Sequence, residues 1–447
     1  MKFCGPKIFF LILAHIILVI LLLVLLSNPV IEQLYPRRAH ESEIIQVQLD
    51  DGALPQFQDH VDPTEDFLSI PAERNEEPTQ EQLNQTESES NRTNAIGQTI
   101  WKTLKANDFT AEPEWKIEED YILVTSSYQT SCPISIKIKG QNVPWLKERF
   151  LQDITLFMDD RHFNDQEWKR LGHFVPPYGW MALEYSVVQQ VVSVLPHVAD
   201  QQMLLAKKTG ETPHCVTCAV VGNGGILNAS RMGKEIDSHE YVFRVNGAVI
   251  QGYEGDVGRR TSFYGFTAFT MLSSLHILNK RGFSTIPQDK ETKYILFTEG
   301  QRDYEWLKAL QQNKDLSKSA LQQYRLHPRD DFGNSFNFKK LLIAHPDFNR
   351  YLKNRFLRSK TLYGKYWNLY RPSTGALVLL TALHLCDTVS AYGFMTNDYN
   401  EYSDHYYDKT KTPVKLYINH DFLLEKDLWA RLHEENIIKL YKGTKGL

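Results

Sequence analysis

The sequence has little glycine, little cysteine and no excess of positive charge, and each shortage excludes a class of protein. Glycine supplies only 24 of the 447 residues, which excludes a collagen-like repeat. Five cysteines are too few for a small disulfide-stapled scaffold, and an aromatic content of 12% excludes a wholly disordered chain. A net charge of −4 with a pI near 6.4 argues against a generic nucleic-acid binder, which is usually basic.

The net charge averages two regions of different composition. From Glu41 to Asn94 there are 14 acidic and 2 basic residues, whereas the rest of the chain has 48 basic and 40 acidic residues. Residues 27–107 show no sustained apolar periodicity, and such an acidic segment of low hydrophobicity cannot offset chain entropy. We therefore interpret 27–107 as a disordered acidic stem that acts as a spacer. Its two sequons, at Asn84 and Asn91, are candidate glycosylation sites.

A long uncharged run precedes the stem. Ile8 to Leu26 are 19 consecutive residues without a formal charge, and a helix of this length reaches about 28 Å. The alternative is a cleaved signal peptide, but its apolar region usually has only about 7–15 residues. We therefore predict a signal anchor at 8–26 after a cytoplasmic tail at 1–7, with the bulk of the chain in the lumen. The flanking positive charges favour this type II orientation only slightly.

Beyond residue 108, short apolar or β-branched runs alternate with longer helical patterns. Strands are predicted at 218–221, 241–245, 294–297 and 388–392. Helices are predicted at 303–312, 339–358 and 375–385. This alternation predicts one α/β catalytic domain over 108–447, with a mostly parallel sheet flanked by helices.

The cysteines divide at the predicted membrane span. Cys4 lies on the cytoplasmic side, where it is either a palmitoylation candidate or a bystander. Four others, Cys132, Cys215, Cys218 and Cys386, would lie in an oxidising lumen. No second CxxC pair completes a metal site with the CxxC at 215–218, so two disulfides are predicted, and their pairing stays open among three possibilities.

Two loops are candidate anion-binding sites. The glycine-rich loop at 222–226 follows a predicted strand, where glycine allows close backbone approach to a ligand, although a tight structural turn is an equally good interpretation. Residues 373–376 open an apolar helix, which predicts either an ordinary capped core helix or a second phosphate- or carboxylate-binding helix start. Further along, the polar-flanked His405 and His420 are candidates for proton transfer, although either one alone is more often structural.

These stretches together resemble the four sialylmotifs of the eukaryotic sialyltransferases. The large motif matches 218–264, the small motif 371–394, the third motif 405–408, and the very small motif matches His420 and Glu425. All four occur in the family's order, and the resemblance covers roughly 101–447. Within the family, the GalNAc α-2,6-sialyltransferases are most similar, and the N-terminal segment and long stem favour the first member of that subfamily.

The resemblance implies a single Rossmann-like domain, a variant of the GT-A glycosyltransferase fold, in the Golgi lumen. It implies inverting transfer of sialic acid from CMP-sialic acid to O6 of a GalNAc linked to Ser or Thr in mucin-type glycoproteins. His420 would be the general base, His405 would donate to the departing phosphate, and Glu425 would complete the catalytic set. No cofactor and no metal is expected, because CMP leaves with less charge than a nucleoside diphosphate.

The resemblance also assigns binding residues and disulfides. Asn223 and Asn246 would hold CMP, and four small-motif residues would line the nucleotide and the donor carboxylate: Ser373, Thr374, Gly375 and Gly393. Cys218 would pair with Cys386, and Cys132 with Cys215. A third sequon, at Asn228, lies inside the donor motif.

Two alternatives stay open. One is the same chemistry with a preference for Gal-β1,3-GalNAc acceptors, and the other is a non-catalytic glycan-binding or scaffold protein of the Golgi. Intact His405, His420 and Glu425 argue against the second. The expected partners are CMP-sialic acid, O-GalNAc glycoproteins and, through the anchor, the bilayer, but no nucleic acid.

Overall fold

The computed structural model of the chain describes residues 44–45, 103–124, 130–198, 201, 204–205, 214–317, 319–334 and 336–443. The predicted tail, the predicted anchor and nearly all of the predicted stem, with Asn84 and Asn91, lie outside these residues. Within the described ranges, no helix is long and apolar enough to cross a bilayer.

An eight-stranded sheet forms the centre of the fold. The strands of the described residues are β1 Ile44–Ile45, β2 Phe157–Met158, β3 Thr217–Val221, β4 Tyr241–Val245, β5 Phe263–Phe266, β6 Lys293–Leu296, β7 Leu341–Ala344, β8 Thr388–Tyr392, β9 Leu416–Tyr417 and β10 Ile438–Leu440. The order across the large sheet is β10–β8–β3–β4–β5–β6–β7–β2. All of its strands are parallel except β2, which pairs antiparallel with β7. The predicted mostly parallel α/β sheet is confirmed.

The sheet is buried on both faces. Along β3, Cys218 and Val220 belong to the core on one face, and Ala219 and Val221 belong to the core on the other. All four side chains are at most 1% exposed. A parallel strand that is covered on both sides reads as a continuous apolar run, which is why the sequence predicted β3, β4, β6 and β8 correctly.

Helices cover the two faces of the sheet. Their bounds are α1 Ile136–Lys139, α2 Pro144–Arg149, α3 Asp165–Leu171, α4 Tyr185–Val192, α5 Gly233–Ser238, α6 Glu254–Val257, α7 Ala268–Ile277, α8 Gln301–Gln312, α9 Pro346–Arg355, α10 Thr374–Leu385 and α11 Phe422–Glu434. α10 is buried at every position from Ala376 to Leu385, as expected for a helix that is apolar on all sides. It packs against β3, β4, β5 and β8, at the middle of the sheet.

The prediction of one helix over 339–358 is wrong. The structure divides this stretch into β7, which pairs with β6, and α9, which begins at Pro346. His345 separates them, because its Nδ1 accepts the N–H of Asp347 at 3.1 Å and so caps α9. Proline is favoured at the first helical position, where its missing N–H costs nothing, so the helix starts there and the four apolar residues before it join the sheet.

The structure contains the two disulfides that the family resemblance implies, Cys132–Cys215 and Cys218–Cys386. The second joins the start of β3 to the turn before β8. The described chain packs slightly before the boundary that we predicted at 107/108, because Leu104 already contacts the small cluster that includes Trp367.

Candidate active site

The candidate site lies at the carboxyl edge of the sheet, where β3 and β8 end side by side. The N–H of Gly222 donates to the Tyr392 carbonyl at 2.8 Å, and the N–H of Gly224 donates to the Gly393 carbonyl at 3.0 Å. Ligands of open parallel α/β sheets bind outside the carboxyl ends of the strands. The glycine-rich loop at 222–226 and the turn after β8, which contains Gly393, therefore meet at the edge where a ligand is expected.

Glycine is sterically required where these loops touch. A Cβ on Gly222 would lie 2.6 Å from the Gly393 carbonyl oxygen, and a Cβ on Gly393 would lie 2.6 Å from the Gly222 carbonyl oxygen. Gly393 also has a φ of +71°, which L side chains rarely adopt. Both glycines thus have a packing role that is independent of any ligand.

Asn223 and Asn246 offer unused hydrogen-bond acceptors at this edge. The Oδ1 atom of each side chain is buried and has no hydrogen-bond partner among the described residues. Asn223 Nδ2 lies 3.5 Å from the carbonyl of Val245, the residue directly before Asn246. A buried polar atom without a partner costs about 1–3 kcal/mol, so both atoms fit a ligand that supplies N–H or O–H groups.

The third motif docks onto the glycine loop. His405 forms an isolated antiparallel bridge with Gly224, and the N–H of Tyr406 donates to the Asn223 carbonyl at 3.0 Å. Asn228 Nδ2 donates to the Tyr406 carbonyl at 2.7 Å, so the side chain of the third sequon already contacts this motif. The backbone of Asn223 is therefore fixed from both sides.

The His405 ring is oriented by its own segment. It stacks on Tyr407 with ring centroids 5.0 Å apart, and its Nδ1 lies 3.5 Å from an Asp404 carboxylate oxygen. Its backbone N–H donates to Asp408 Oδ2 at 2.8 Å. The side chain stays 39% exposed, so the ring is held in place while remaining accessible to a ligand.

Glu425 binds the residue directly before α10. One carboxylate oxygen accepts the N–H of Ser373 and the other accepts its hydroxyl, both at 2.7 Å. Ser373 in turn caps α10, with its Oγ accepting the N–H of Ala376 at 3.1 Å. Burial raises the pKa of Glu425 to about 7. These contacts position the start of α10, and the place of Glu425 in the catalytic set stays a prediction.

The start of α10 faces the same edge as the glycine loops. A helix that precedes a parallel strand runs antiparallel to it, so the first residues, Thr374 and Gly375, lie at the carboxyl edge. Phe394 connects the two parts, because its ring lies 3.5 Å from a Cβ built on Gly375 and 3.6 Å from one built on Gly222. The free N–H groups of the first helical turn can bind an anion there.

His420 is arranged as a base. Its Nδ1 lies 2.8 Å from the carbonyl oxygen of Arg371. A carbonyl only accepts, so Nδ1 carries the hydrogen and the neutral ring keeps its lone pair on Nε2. Burial, together with the nearby Arg371 guanidinium, lowers the pKa of His420 to about 4. The ring is therefore neutral near pH 7 and can accept a proton.

The structure brings the predicted residues together in two groups. Asn223, Asn246, Gly393 and His405 surround the ends of β3, β4 and β8, whereas His420 and Glu425 hold the segment that leads into α10. No hydrogen bond or ring contact between described residues joins His405 directly to His420. Phe394 is the link that packs against both loops.

Sequence reasoning missed an ionic group behind His420. Arg371 Nε donates to Glu299 Oε1 at 2.6 Å, and Arg302 Nη2 donates to Glu299 Oε2 at 2.9 Å. Glu299 comes three residues after β6, at the carboxyl edge of the same sheet. A charged residue soon after a buried strand was the available signal.

One group of potential metal ligands occurs within the described residues. Asp159, Asp160 and His197 each offer one ligand atom, and these atoms lie within 4.8 Å of one another. Asp159 is already paired with Arg161 at 2.7 Å and accepts the N–H of Val198 at 3.1 Å. Its carboxylate is thus committed to protein partners.

The sequence profile of glycosyltransferase family 29 (sialyltransferase) matches residues 157–437, which include β2 to β9 and the loops of the candidate site. The chain belongs to this family. Among curated relatives of this family 29 member, alpha-N-acetylgalactosaminide alpha-2,6-sialyltransferase 1 is 57% identical in Gallus gallus, over 79% of the present chain and 62% of the relative. The Homo sapiens protein of the same name is 56% identical over 76% of the chain and 56% of the relative.

Other relatives match over more of their own length. Alpha-N-acetylgalactosaminide alpha-2,6-sialyltransferase 2 of Homo sapiens is 42% identical over 70% of the chain and 83% of the relative. A mammalian sialyltransferase crystal structure is 27% identical, with a TM-score of 0.49, over 71% of the chain and 100% of that structure. The family 29 chain spans only about three fifths of the length of the first two relatives.

Proposed function

We propose that the chain is an inverting α-2,6-sialyltransferase that moves sialic acid from CMP-sialic acid to O6 of GalNAc linked to Ser or Thr. The observation that carries the proposal is His420, which the Arg371 carbonyl fixes in the tautomer with a free Nε2. Family membership limits the reaction class to sialyl transfer. The printed names of the relatives that are 56–57% identical support GalNAc as the acceptor sugar.

The proposed reaction is a single nucleophilic displacement. His420 Nε2 takes the proton of the acceptor O6 hydroxyl while O6 forms a bond to the anomeric carbon of sialic acid. The bond from that carbon to the phosphate oxygen breaks on the opposite face, and CMP leaves with the electron pair, so the configuration inverts. His405, exposed beside Gly224, donates a hydrogen bond to the departing phosphate. Glu425 contributes by holding Ser373 and thereby the start of α10.

The donor-binding residues follow from the unused groups at the carboxyl edge. The buried Oδ1 atoms of Asn223 and Asn246 accept from the amino or hydroxyl groups of CMP. The first turn of α10, at Thr374 and Gly375, receives the phosphate or the carboxylate of the donor. Gly393 lets the turn after β8 pack closely against the glycine loop that borders this site.

The reaction is proposed to need no metal. The leaving group is a phosphate monoester, which carries less charge to stabilise than a nucleoside diphosphate. The helix start of α10 supplies positive electrostatic potential to that phosphate, and the His405 side chain supplies a hydrogen-bond donor. The Asp159 group is not assigned a role in this chemistry, because its carboxylate pairs with Arg161.

The cellular setting is also proposed. The uncharged run at 8–26 would anchor the chain as a type II protein of the Golgi membrane, with residues 27–107 as an acidic stem and 108–447 as the catalytic domain. Two disulfides support a lumenal location, because they persist in oxidising compartments. Asn84 and Asn91 would carry glycans, and Asn228 is a weaker candidate because its amide binds the Tyr406 carbonyl.

Transfer assays with two acceptors test the proposal. The full chain is incubated with CMP-sialic acid and either a GalNAc-peptide or a Gal-β1,3-GalNAc-peptide, with and without EDTA. We expect transfer to O6 of the GalNAc-peptide that EDTA does not reduce, and a loss of at least a thousandfold in His420→Ala with CMP affinity retained. Transfer to the disaccharide alone would change the acceptor assignment, and transfer to neither by a folded protein would leave a glycan-binding scaffold.

A further inference from the structure

We propose that Glu299 is a positioning residue for His420 that acts through Arg371. Its carboxylate holds Arg371 in place and offsets the guanidinium charge that would otherwise oppose protonation of the base. The inference rests on the function proposed above, in which His420 takes the acceptor proton. Glu299 lies outside the four motifs whose resemblance identified the other site residues.

The geometry forms a continuous chain of contacts from β6 to the base. Glu299 is 10% exposed and receives the Nε–H of Arg371 at 2.6 Å. The backbone carbonyl of the same Arg371 accepts from His420 Nδ1 at 2.8 Å. The N–H of Arg371 donates to the Asn419 carbonyl at 2.9 Å, directly before the base. A displacement of Arg371 would therefore move His420 and break the hydrogen bond that fixes its tautomer.

The charges give Glu299 a second effect on the base. When His420 takes a proton, its imidazolium lies near the Arg371 guanidinium, and like charges repel. A carboxylate on that guanidinium reduces the repulsion. Although burial alone would raise the pKa of Glu299, the guanidinium groups of Arg371 and Arg302 hold it below its usual value, so the carboxylate stays ionised near pH 7.

Charged or titratable groups lie on each element packed around His420. They are Arg371 before α10, Glu299 after β6, Arg302 and Asp303 on α8, and Asp421 and Glu425 at the start of α11. Burial raises the pKa of Glu425 to about 7, so this group is uncharged at pH 4.5. Asp421 accepts the hydroxyl of Ser359 at 2.7 Å and caps α11, so it is engaged elsewhere. Asp303 accepts two backbone N–H groups, and none of the variants in the experiment replaces it.

The alternative is that Glu299 forms a merely structural ion pair. In that case the loss of Glu299 would lower stability and activity. The pKa of His420, however, would not shift in the direction set by the sign of the charge that is removed. Two variants with opposite charge changes separate the interpretations. Glu299→Gln removes the negative charge at nearly constant shape, and Arg302→Gln removes one of the two positive charges that share Glu299.

The experiment measures His420 directly in the full chain. Histidine ¹⁵N shifts at pH 4.5 give the protonated fraction of each ring, and His420→Ala identifies the signal. From its pKa of about 4, roughly one quarter of His420 is protonated in the wild type at this pH. We expect the protonated fraction of His420 to fall to a few per cent in Glu299→Gln and to rise above the wild-type value in Arg302→Gln. Glu305→Gln is the matched control. Glu305 lies on α8, as Arg302 does, but it pairs with Gln301, so the protonated fraction of His420 in this variant should equal that of the wild type.

Kinetics provide the second measurement. Glu299→Gln should lower kcat about tenfold, because the base is weaker and less well held, while KM for CMP-sialic acid changes less than about twofold. An unchanged His420 protonation in both charge variants overturns the inference, whatever their activity. If Glu299→Gln does not fold, Arg302→Gln decides by itself, since a wild-type fraction there also refutes it. If even the wild type transfers no sialic acid, the proposed function fails, and the ¹⁵N shifts still decide the role of Glu299.

Discussion

Replacement of Glu425 by glutamine should stabilise the protein at alkaline pH and have little effect at acidic pH. Glu425 is 4% exposed, and burial raises its pKa from 4.5 to about 7. Because the native state binds this proton more tightly than the unfolded state, stability contributed by the protonated form is present below pH 4.5 and is lost as the pH rises through 7. The full cost above pH 7 is about 3 kcal/mol.

Glutamine avoids this cost while keeping the local contacts. Its Oε1 can accept the N–H of Ser373 and its Nε2 can donate to the Ser373 hydroxyl oxygen, which replaces both bonds of the carboxyl group. We therefore expect the free energy of unfolding of Glu425→Gln to exceed that of the wild type by about 2.5 kcal/mol more at pH 8 than at pH 5.

Urea unfolding followed by tryptophan fluorescence at the two pH values measures this difference. Glu434→Gln, an exposed position on the same helix α11, is the matched control for the loss of one carboxylate. If the stability difference between Glu425→Gln and the wild type is the same at pH 5 and pH 8, the buried carboxyl group is not titrating as described, and its place against Ser373 would need another explanation.

Two further perturbations probe how the site is assembled. Replacing both Cys218 and Cys386 by alanine removes a cross-link between residues 168 apart, with an expected cost of about 5 kcal/mol from chain entropy in urea unfolding; a loss below about 1 kcal/mol would contradict this. In Gly225→Ala the new Cβ would lie 2.1 Å from the Ser403 carbonyl oxygen, so the third motif must move and KM for CMP-sialic acid should rise at least tenfold. Gly255→Ala, where a Cβ meets nothing within 4 Å, should keep wild-type kinetics.

The sequence predicts strands well where burial on both faces leaves an uninterrupted apolar run, and poorly elsewhere. β5 was missed because Gly265 interrupts its run, yet a Cβ at this position would lie 2.2 Å from the Val378 side chain of α10. That glycine is needed by helix–sheet contact, which local sequence does not reveal. β10 was missed because it has three residues and an exposed Lys439 at an edge of the sheet.

In the candidate site, too, the features carried by local sequence were predictable, and those that depend on tertiary contacts were not. Family resemblance located Asn223, His405 and His420 by short motifs, and the structure places each at the carboxyl edge. The contact between Glu299 and Arg371 joins residues that are 72 positions apart, so it depends on how β6 and the loop before α10 come together. No local pattern encodes that distance.

The spacing between His420 and Glu425 brings both residues to one segment of the fold, and the catalytic role that the resemblance implies for Glu425 stays a prediction. The two residues lie five positions apart, and the structure aims them at different partners: the ring binds the Arg371 carbonyl, and the carboxyl group binds Ser373. Both partners belong to the segment that leads into α10. The motif therefore holds one loop at two points, which only the fold could show.

The disulfide pattern has a consequence for how the chain is made. Cys215 and Cys218 are neighbours, but the first pairs backward with Cys132 and the second pairs forward with Cys386. At about 5–20 residues per second, the ribosome needs roughly 8 to 34 seconds to add the 168 residues between Cys218 and Cys386. In an oxidising lumen, Cys132 would face two nearby thiols throughout that interval, and only one of them is its native partner. A Cys132–Cys218 bond formed in that time would have to be exchanged before Cys218 could pair with Cys386.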